Sequence, residues 1–156
     1  MIAPWRLPQA TRRDGVVGRP GRDLRTPVLW GVVWGCLQAA SPLALFWLDA
    51  STVYALGLVL IAGIYIGFAV SDGRSKVIAV ETAVASAFVV VAAVGVTGSA
   101  WLLVAGLVGH GLKDLWQHRT GFVANTRWWP PFCATVDFVA AALIAITIAT
   151  DLYSRL

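Results

Sequence analysis

Residues 52–71 read TVYALGLVLIAGIYIGFAVS and contain no charged side chain. As an α-helix, a run of about 20 residues spans about 30 Å, which is the thickness of the hydrocarbon core of a bilayer. Inside that core the backbone must satisfy its own hydrogen bonds. A continuously apolar run does so as a helix, whereas membrane β-strands alternate polar and apolar residues. This stretch therefore predicts a transmembrane helix.

Four more apolar runs of similar length flank it, at about 28–48, 77–97, 99–117 and 132–150. Hydrophobic residues make up 58% of the 156-residue chain and charged residues only 13%, against about 25% charged in soluble domains. This composition excludes a soluble enzyme, a disulfide-rich secreted domain, a nucleic-acid-binding domain and a disordered regulator. The sequence therefore predicts an all-α, polytopic membrane bundle of five transmembrane helices over 28–156, preceded by an Arg/Pro-rich arm at 1–27.

The distribution of basic residues predicts the orientation. With the N-terminus in the cytoplasm, eleven of the twelve Lys and Arg residues fall on the cytoplasmic side, and only Arg155 falls outside. Such asymmetry is the positive-inside pattern of membrane proteins. We therefore expect a multi-pass protein of the cell (inner or plasma) membrane, with its arm at anionic lipid headgroups and with no nucleic-acid partner.

Small residues mark faces on which helices could pack closely. Gly31 and Gly35 form a GxxxG motif in the first run, and Gly63 and Gly67 form another in the second. Such motifs bring helix backbones close together. They fit packing within one chain as well as a homo-oligomer.

Four polar residues interrupt the apolar runs at a similar depth. Glu81 belongs to the third run, His110 and Asp114 to the fourth, and Asp137 to the fifth. Counted from the helix ends, all four lie about 5–12 Å beneath the cytoplasmic interface. Ionised groups facing lipid cost several kcal/mol. We therefore predict that these side chains converge inside the bundle, with helices 3 and 4 adjacent and helix 5 packed against both.

Two further residues are expected to support this cluster. Lys113 lies on the adjoining helix face and can reach Glu81 or Asp137. His118 lies about 12 Å along the helix axis from His110, too far to join the same ion. We expect His118 at the membrane surface, where it would serve an entering ligand.

Three interpretations of the cluster stay open. It is a buried charge network that fixes helix packing, a site for a divalent metal ion or polar headgroup, or a pathway for protons or ions. The first hypothesis for function is thus a metal- or headgroup-binding membrane protein, one form of which is an enzyme acting on a lipid or quinone-like substrate. The alternative is a non-enzymatic transporter or channel subunit, or an assembly partner. No catalytic residue is assigned, and no nucleotide loop or c-type haem motif is present.

The stretch from Gly109 to Ala142 carries the motifs HGxxDxxxH and WWPPFCxxxD. It resembles an uncharacterised family of small bacterial multi-spanning membrane proteins. In related sequences a Trp often stands at the position of Lys113, and a second His often neighbours His118. The resemblance covers the last third of the chain and implies a membrane protein but no activity.

Overall fold

The computed structural model describes residues 24–124 and 126–153, and within these ranges it is all-helical, without a strand. The predicted fold class is therefore confirmed as all-α. Most of the predicted arm, 1–27, lies outside the described residues, although its last three residues belong to the first helix. The five helices are α1 (Arg25–Ala44), α2 (Ala50–Asp72), α3 (Ser75–Thr97), α4 (Trp101–Thr120) and α5 (Trp129–Ala149).

Four of these helices, α1, α2, α3 and α5, are long and apolar enough to cross a membrane. The fourth helix in the chain does not reach that hydropathy, because from His110 onward it carries polar side chains at seven positions. These are His110, Lys113, Asp114, Gln117, His118, Arg119 and Thr120.

The helix ends follow from local chemistry. α2 begins after Asp49, whose carboxylate accepts a hydrogen bond from the Thr52 backbone N–H at 2.9 Å and others from the hydroxyls of Ser51 and Thr52. This is the arrangement of a helix N-cap. At the other end, Gly73 stops α2 with a φ of 79°, a left-handed conformation that glycine adopts without a Cβ penalty.

The predicted first span, 28–48, is shifted relative to α1. The helix starts earlier, at Arg25, because Pro27 in its first turn lacks an N–H that would be unpaired there anyway. It ends earlier, at Ala44, and the chain then runs through turns to the Asp49 cap of α2.

The polar helix α4 contacts three of the four other helices, as α2 also does. It packs against α2, α3 and α5, while α5 packs mainly against α1 and α4. α5 has no comparable contact with α3, so the expectation that helix 5 packs against both helix 3 and helix 4 is wrong for helix 3. The apolar core fills the bundle where α2 and α4 begin, with its largest fully buried side chains at Tyr54, Leu58, Leu103, Leu107 and Ile144.

The first GxxxG motif serves contact within the chain. A Cβ placed on Gly31 would lie 2.6 Å from the Cβ of Thr135 and 2.8 Å from the backbone oxygen of Phe132, both on α5. Around Gly63 and Gly67, by contrast, an added Cβ would meet no described atom within 4 Å. A homo-oligomer through this second motif stays a prediction.

The α2–α3 turn holds the loop between α4 and α5. Asp72 accepts a hydrogen bond from the Ala124 backbone N–H at 2.7 Å, and Arg74 donates one to the Phe122 carbonyl at 2.7 Å. Arg74 and Asp72 also form an ion pair at 2.6 Å. Both connections therefore lie at the same end of the bundle, which we call the turn end.

Candidate functional site

Three of the predicted site residues meet inside the bundle. His110 Nδ1 lies 2.8 Å from Asp137 Oδ2 and 3.5 Å from Asp114 Oδ2. One candidate ligand atom from each residue lies within 4.8 Å of the other two. We call His110, Asp114 and Asp137 the triad.

The helices bring the triad together for two reasons. His110 and Asp114 are four residues apart on α4, so their side chains share one face of that helix. Asp137 arrives on α5, which approaches α4 closely at Gly111. A Cβ on Gly111 would lie 3.3 Å from the Cβ of Asp137 and 2.9 Å from the ring of Phe138. The glycine between the two α4 residues therefore allows the third to join them.

The triad is closed off from the surroundings of the bundle. His110 is 1% exposed, and both aspartates are 0% exposed. Both oxygens of Asp114 and Oδ1 of Asp137 have no hydrogen-bond partner among the described residues. Two carboxylates thus share a buried space with a single imidazole, and most of their lone pairs are not used by the protein.

Two aromatic rings flank the imidazole. The ring centroids of Phe88 and Tyr65 lie 5.0 and 5.9 Å from that of His110. The Tyr65 hydroxyl is buried and has no hydrogen-bond partner among the described residues. In the sequence both residues are indistinguishable from ordinary apolar packing, so sequence reasoning missed them.

Glu81 does not join the triad. Its Oε2 accepts a hydrogen bond from Lys113 Nζ at 2.6 Å, and that ammonium also lies 3.2 Å from the centroid of the Tyr65 ring. Lys113 therefore lies beside an acid, as expected, but the acid is Glu81 alone. Of the four polar residues, three form the triad, and Glu81 forms a separate ion pair with Lys113.

Gln117 extends the polar face of α4 toward the turn end. It lies three residues beyond Asp114, is 1% exposed, and neither atom of its amide has a hydrogen-bond partner in the described ranges. The predicted supporting residue His118 is half-buried and lies next to it, away from the triad. Both residues line a cavity of about 360 Å³ below the α4–α5 loop. The sequence offered one signal for Gln117, because it follows His110 and Asp114 at helical spacing.

A second cavity, of about 470 Å³, opens on the side of the bundle between α1, α2 and α5. Its lining is almost wholly apolar and includes Trp30, Trp34 and Trp129. Cys133 also lines it and lies four residues before Asp137, on the same face of α5. This lateral groove therefore comes close to the triad.

Comparisons of the chain with protein-family models, with curated proteins and with solved structures gave no match. The resemblance of the Gly109–Ala142 stretch to a bacterial membrane-protein family stays a prediction.

Proposed function

We propose that this chain is an integral membrane protein that binds a divalent transition-metal cation at the triad. The observation that carries the proposal is the pair of fully buried carboxylates beside one imidazole, with three carboxylate oxygens unpartnered among the described residues. Imidazole nitrogen with carboxylate oxygens is a ligand set that suits zinc, iron or manganese.

The spacing of the triad supports this ligand set. Metal–ligand bonds of about 2.0–2.2 Å place neighbouring ligand atoms about 3–4 Å apart. The atoms of His110, Asp114 and Asp137 lie within 4.8 Å of one another, so small side-chain rotations would complete the geometry. Three protein ligands leave a further position for water or a substrate, as in catalytic zinc sites.

Charge balance also supports a cation. Two buried carboxylates need compensation, since an unpaired buried charge costs several kcal/mol. The nearest basic side chain on the same helix, Lys113, is engaged by Glu81 at 2.6 Å. A divalent ion would compensate both aspartates at once.

For the topology we propose five membrane-crossing helices with a cytoplasmic N-terminus in the cell membrane. The eleven-to-one distribution of basic residues supports this orientation. The lower hydropathy of α4 is compatible with crossing because His110, Asp114 and Gln117 are buried where it packs against its neighbours, and a helix can carry polar groups on its covered face. In this orientation the turn end faces the cytoplasm.

Elemental analysis of the purified full-length protein in detergent tests the metal proposal. After loading with zinc, manganese or iron(II) and removal of excess metal, we expect about one metal ion per chain, and loss of that ion in His110→Ala. His118→Ala is the matched control, because it removes the other histidine of α4 without removing a ligand of the triad. A wild-type protein that retains none of the three metals would contradict the proposal.

One observation favours a second candidate, a metal-free network that holds a proton. His110 Nδ1 and Asp137 Oδ2 already form a hydrogen bond at 2.8 Å without any added group. In this case, Asp137→Asn would reduce stability without changing the metal content.

The lateral groove beside Cys133 would suit an enzyme that binds metal at the triad, with a lipid-like substrate entering the groove from the bilayer.

A further inference from the structure

The cavity at the turn end differs in chemistry from the triad. It has a volume of about 360 Å³, within the range of about 300–1,000 Å³ typical of small-molecule sites. None of the described residues that line it is acidic. They are Gln117, His118, Gly121, Val123, Ala124, Thr126, Arg127 and Pro130.

Gln117 is the buried polar group of this cavity. Its side chain is 1% exposed, and its Nε2 and Oε1 atoms both lack a hydrogen-bond partner within the described part of the chain. Buried amides are almost always hydrogen-bonded, because leaving a donor and an acceptor unpaired costs free energy. An unpaired amide lining a cavity therefore indicates a ligand that uses it.

Arg127 supplies the charge. It lines the same cavity, and no described acidic residue lies within ion-pair distance of it. A guanidinium presents several N–H donors in a planar fork that matches the oxygens of a phosphate group. A basic lining without carboxylates favours an anion over a cation.

The cavity wall is held in place by the α2–α3 turn. Asp72 accepts a hydrogen bond from Ala124 N–H, and Arg74 donates one to the Phe122 carbonyl, each at 2.7 Å. Thr126 closes the loop with a 3.0 Å hydrogen bond to the Val123 carbonyl. A wall fixed in this way costs little further ordering when a ligand binds.

We propose that this cavity binds a phosphate group, with Gln117 Nε2 and the Arg127 guanidinium as donors. The same chemistry has two sources, the phosphate of an anionic phospholipid headgroup and a free phosphate. The site is separate from the triad and does not depend on the metal proposal.

Two probes test this site on the purified full-length protein, and each has its own measurement. One probe is inorganic phosphate, which is added to protein in detergent and whose binding is measured by titration calorimetry. The other is nanodiscs of phosphatidylcholine with increasing phosphatidylglycerol, with lipid retention measured by mass spectrometry. Saturable binding of phosphate alone assigns a free phosphate, and selective retention of phosphatidylglycerol assigns a lipid headgroup.

Arg127→Gln and Gln117→Leu should each weaken that binding by about 10-fold or more, since each removes a hydrogen bond to a charged group. Arg119→Gln is the matched control: it removes the same charge from an exposed position of α4 that does not line the cavity, and it should change binding less than about twofold. Equal weakening in the two arginine variants would show diffuse attraction and overturn the proposal. Absence of binding by either probe would overturn it as well, and a folded Arg127→Gln protein decides the matter if Gln117→Leu does not fold.

Discussion

Two buried ionic groups lie side by side on α4, and they are balanced differently. In the first, Lys113 and Glu81 meet at 2.6 Å, one positive and one negative charge. In the second, His110 is the only basic side chain among the described residues that lies within ion-pair distance of the two buried aspartates. The ion pair is complete by itself, whereas the triad calls for a proton or a cation that the described residues do not supply. This contrast is the reason for proposing a structural role for the ion pair and a binding role for the triad.

Tyr65 lies between the two groups. Its ring lies beneath the Lys113 ammonium, 3.2 Å from ring centroid to Nζ, and its centroid lies 5.9 Å from that of the His110 imidazole. A cation over an aromatic face is favourable, and more so where water is excluded. Tyr65 therefore helps to hold Lys113 toward Glu81 and away from the triad carboxylates.

The largest effect is expected from breaking the ion pair. Lys113→Met leaves Glu81, which is 1% exposed, as an uncompensated buried charge. Loss of one partner of a buried pair typically costs about 3–5 kcal/mol. The free energy of unfolding, measured by denaturant titration in mixed micelles, should fall by about that amount.

The double variant Lys113→Met/Glu81→Gln is the control for this prediction. It removes both charges, so most of the lost stability should return. If the single and double variants are equally destabilised, the pair is not the self-sufficient unit described here.

Removing a carboxylate from the triad should have a different consequence. Asp137→Asn eliminates one anionic ligand, and we expect zinc affinity to fall by about 100-fold, or about 2.7 kcal/mol. Without metal the same variant should be at least as stable as the wild type, because it relieves an unbalanced buried charge. Competition with a chromogenic chelator measures the affinity, and an unchanged value would remove Asp137 from the site.

Most of the fold could be predicted from the sequence. The long apolar runs predicted helices because lipid leaves the backbone few other choices, and each of the five predicted runs overlaps an observed helix. The bounds of α1 were less predictable. They depend on Pro27 entering the first helical turn and on the cap at Asp49, which are local effects that a hydropathy pattern does not register.

The candidate site could be predicted from the sequence only in part. The spacing of His110 and Asp114 fixed a shared helix face, and depth placed Asp137 in the same layer. Depth alone could not decide which neighbours meet, so the sequence grouped Glu81 with the triad although Lys113 holds it apart. The cavity that Gln117 lines could not be predicted, because it depends on the α4–α5 loop, whose position is set by contacts with Asp72 and Arg74 far away in the chain.

A smaller loss of stability should follow from adding a methyl group where α4 and α5 approach each other closely and bring Asp137 to the triad. Gly111→Ala places a methyl group 2.9 Å from the Phe138 ring and 3.3 Å from the Asp137 Cβ, so α5 must shift. Overpacking of this kind costs about 1–3 kcal/mol, against which the better helix propensity of alanine returns up to about 1 kcal/mol. Thermal unfolding should show a lower transition temperature.

Gly63→Ala is the matched control for that prediction. It makes the same chemical change on α2, where the added Cβ meets no described atom within 4 Å. We expect stability to stay the same or to rise slightly. Equal destabilisation at both glycines would mean that the α4–α5 approach is not the cause.

The smallest change in stability is expected at Asp49, at the opposite end of the bundle from the triad, where neighbouring hydrogen-bond donors stabilise the carboxylate. Hydrogen bonds from Ser51 and Thr52 lower the pKa of Asp49 from 3.8 to about 2. A depressed carboxyl pKa stabilises the fold above pH 3.8, and that contribution is lost as the pH falls through about 2.

At pH 7, Asp49→Ala should reduce the free energy of unfolding by about 1 kcal/mol, the usual value of a helix N-cap. Asp49→Asn keeps a capping oxygen but does not titrate, so the difference between wild type and this variant should narrow between about pH 4 and pH 2. A wild-type stability that follows the Asn variant throughout this range would show that the charge on Asp49 contributes nothing beyond the cap.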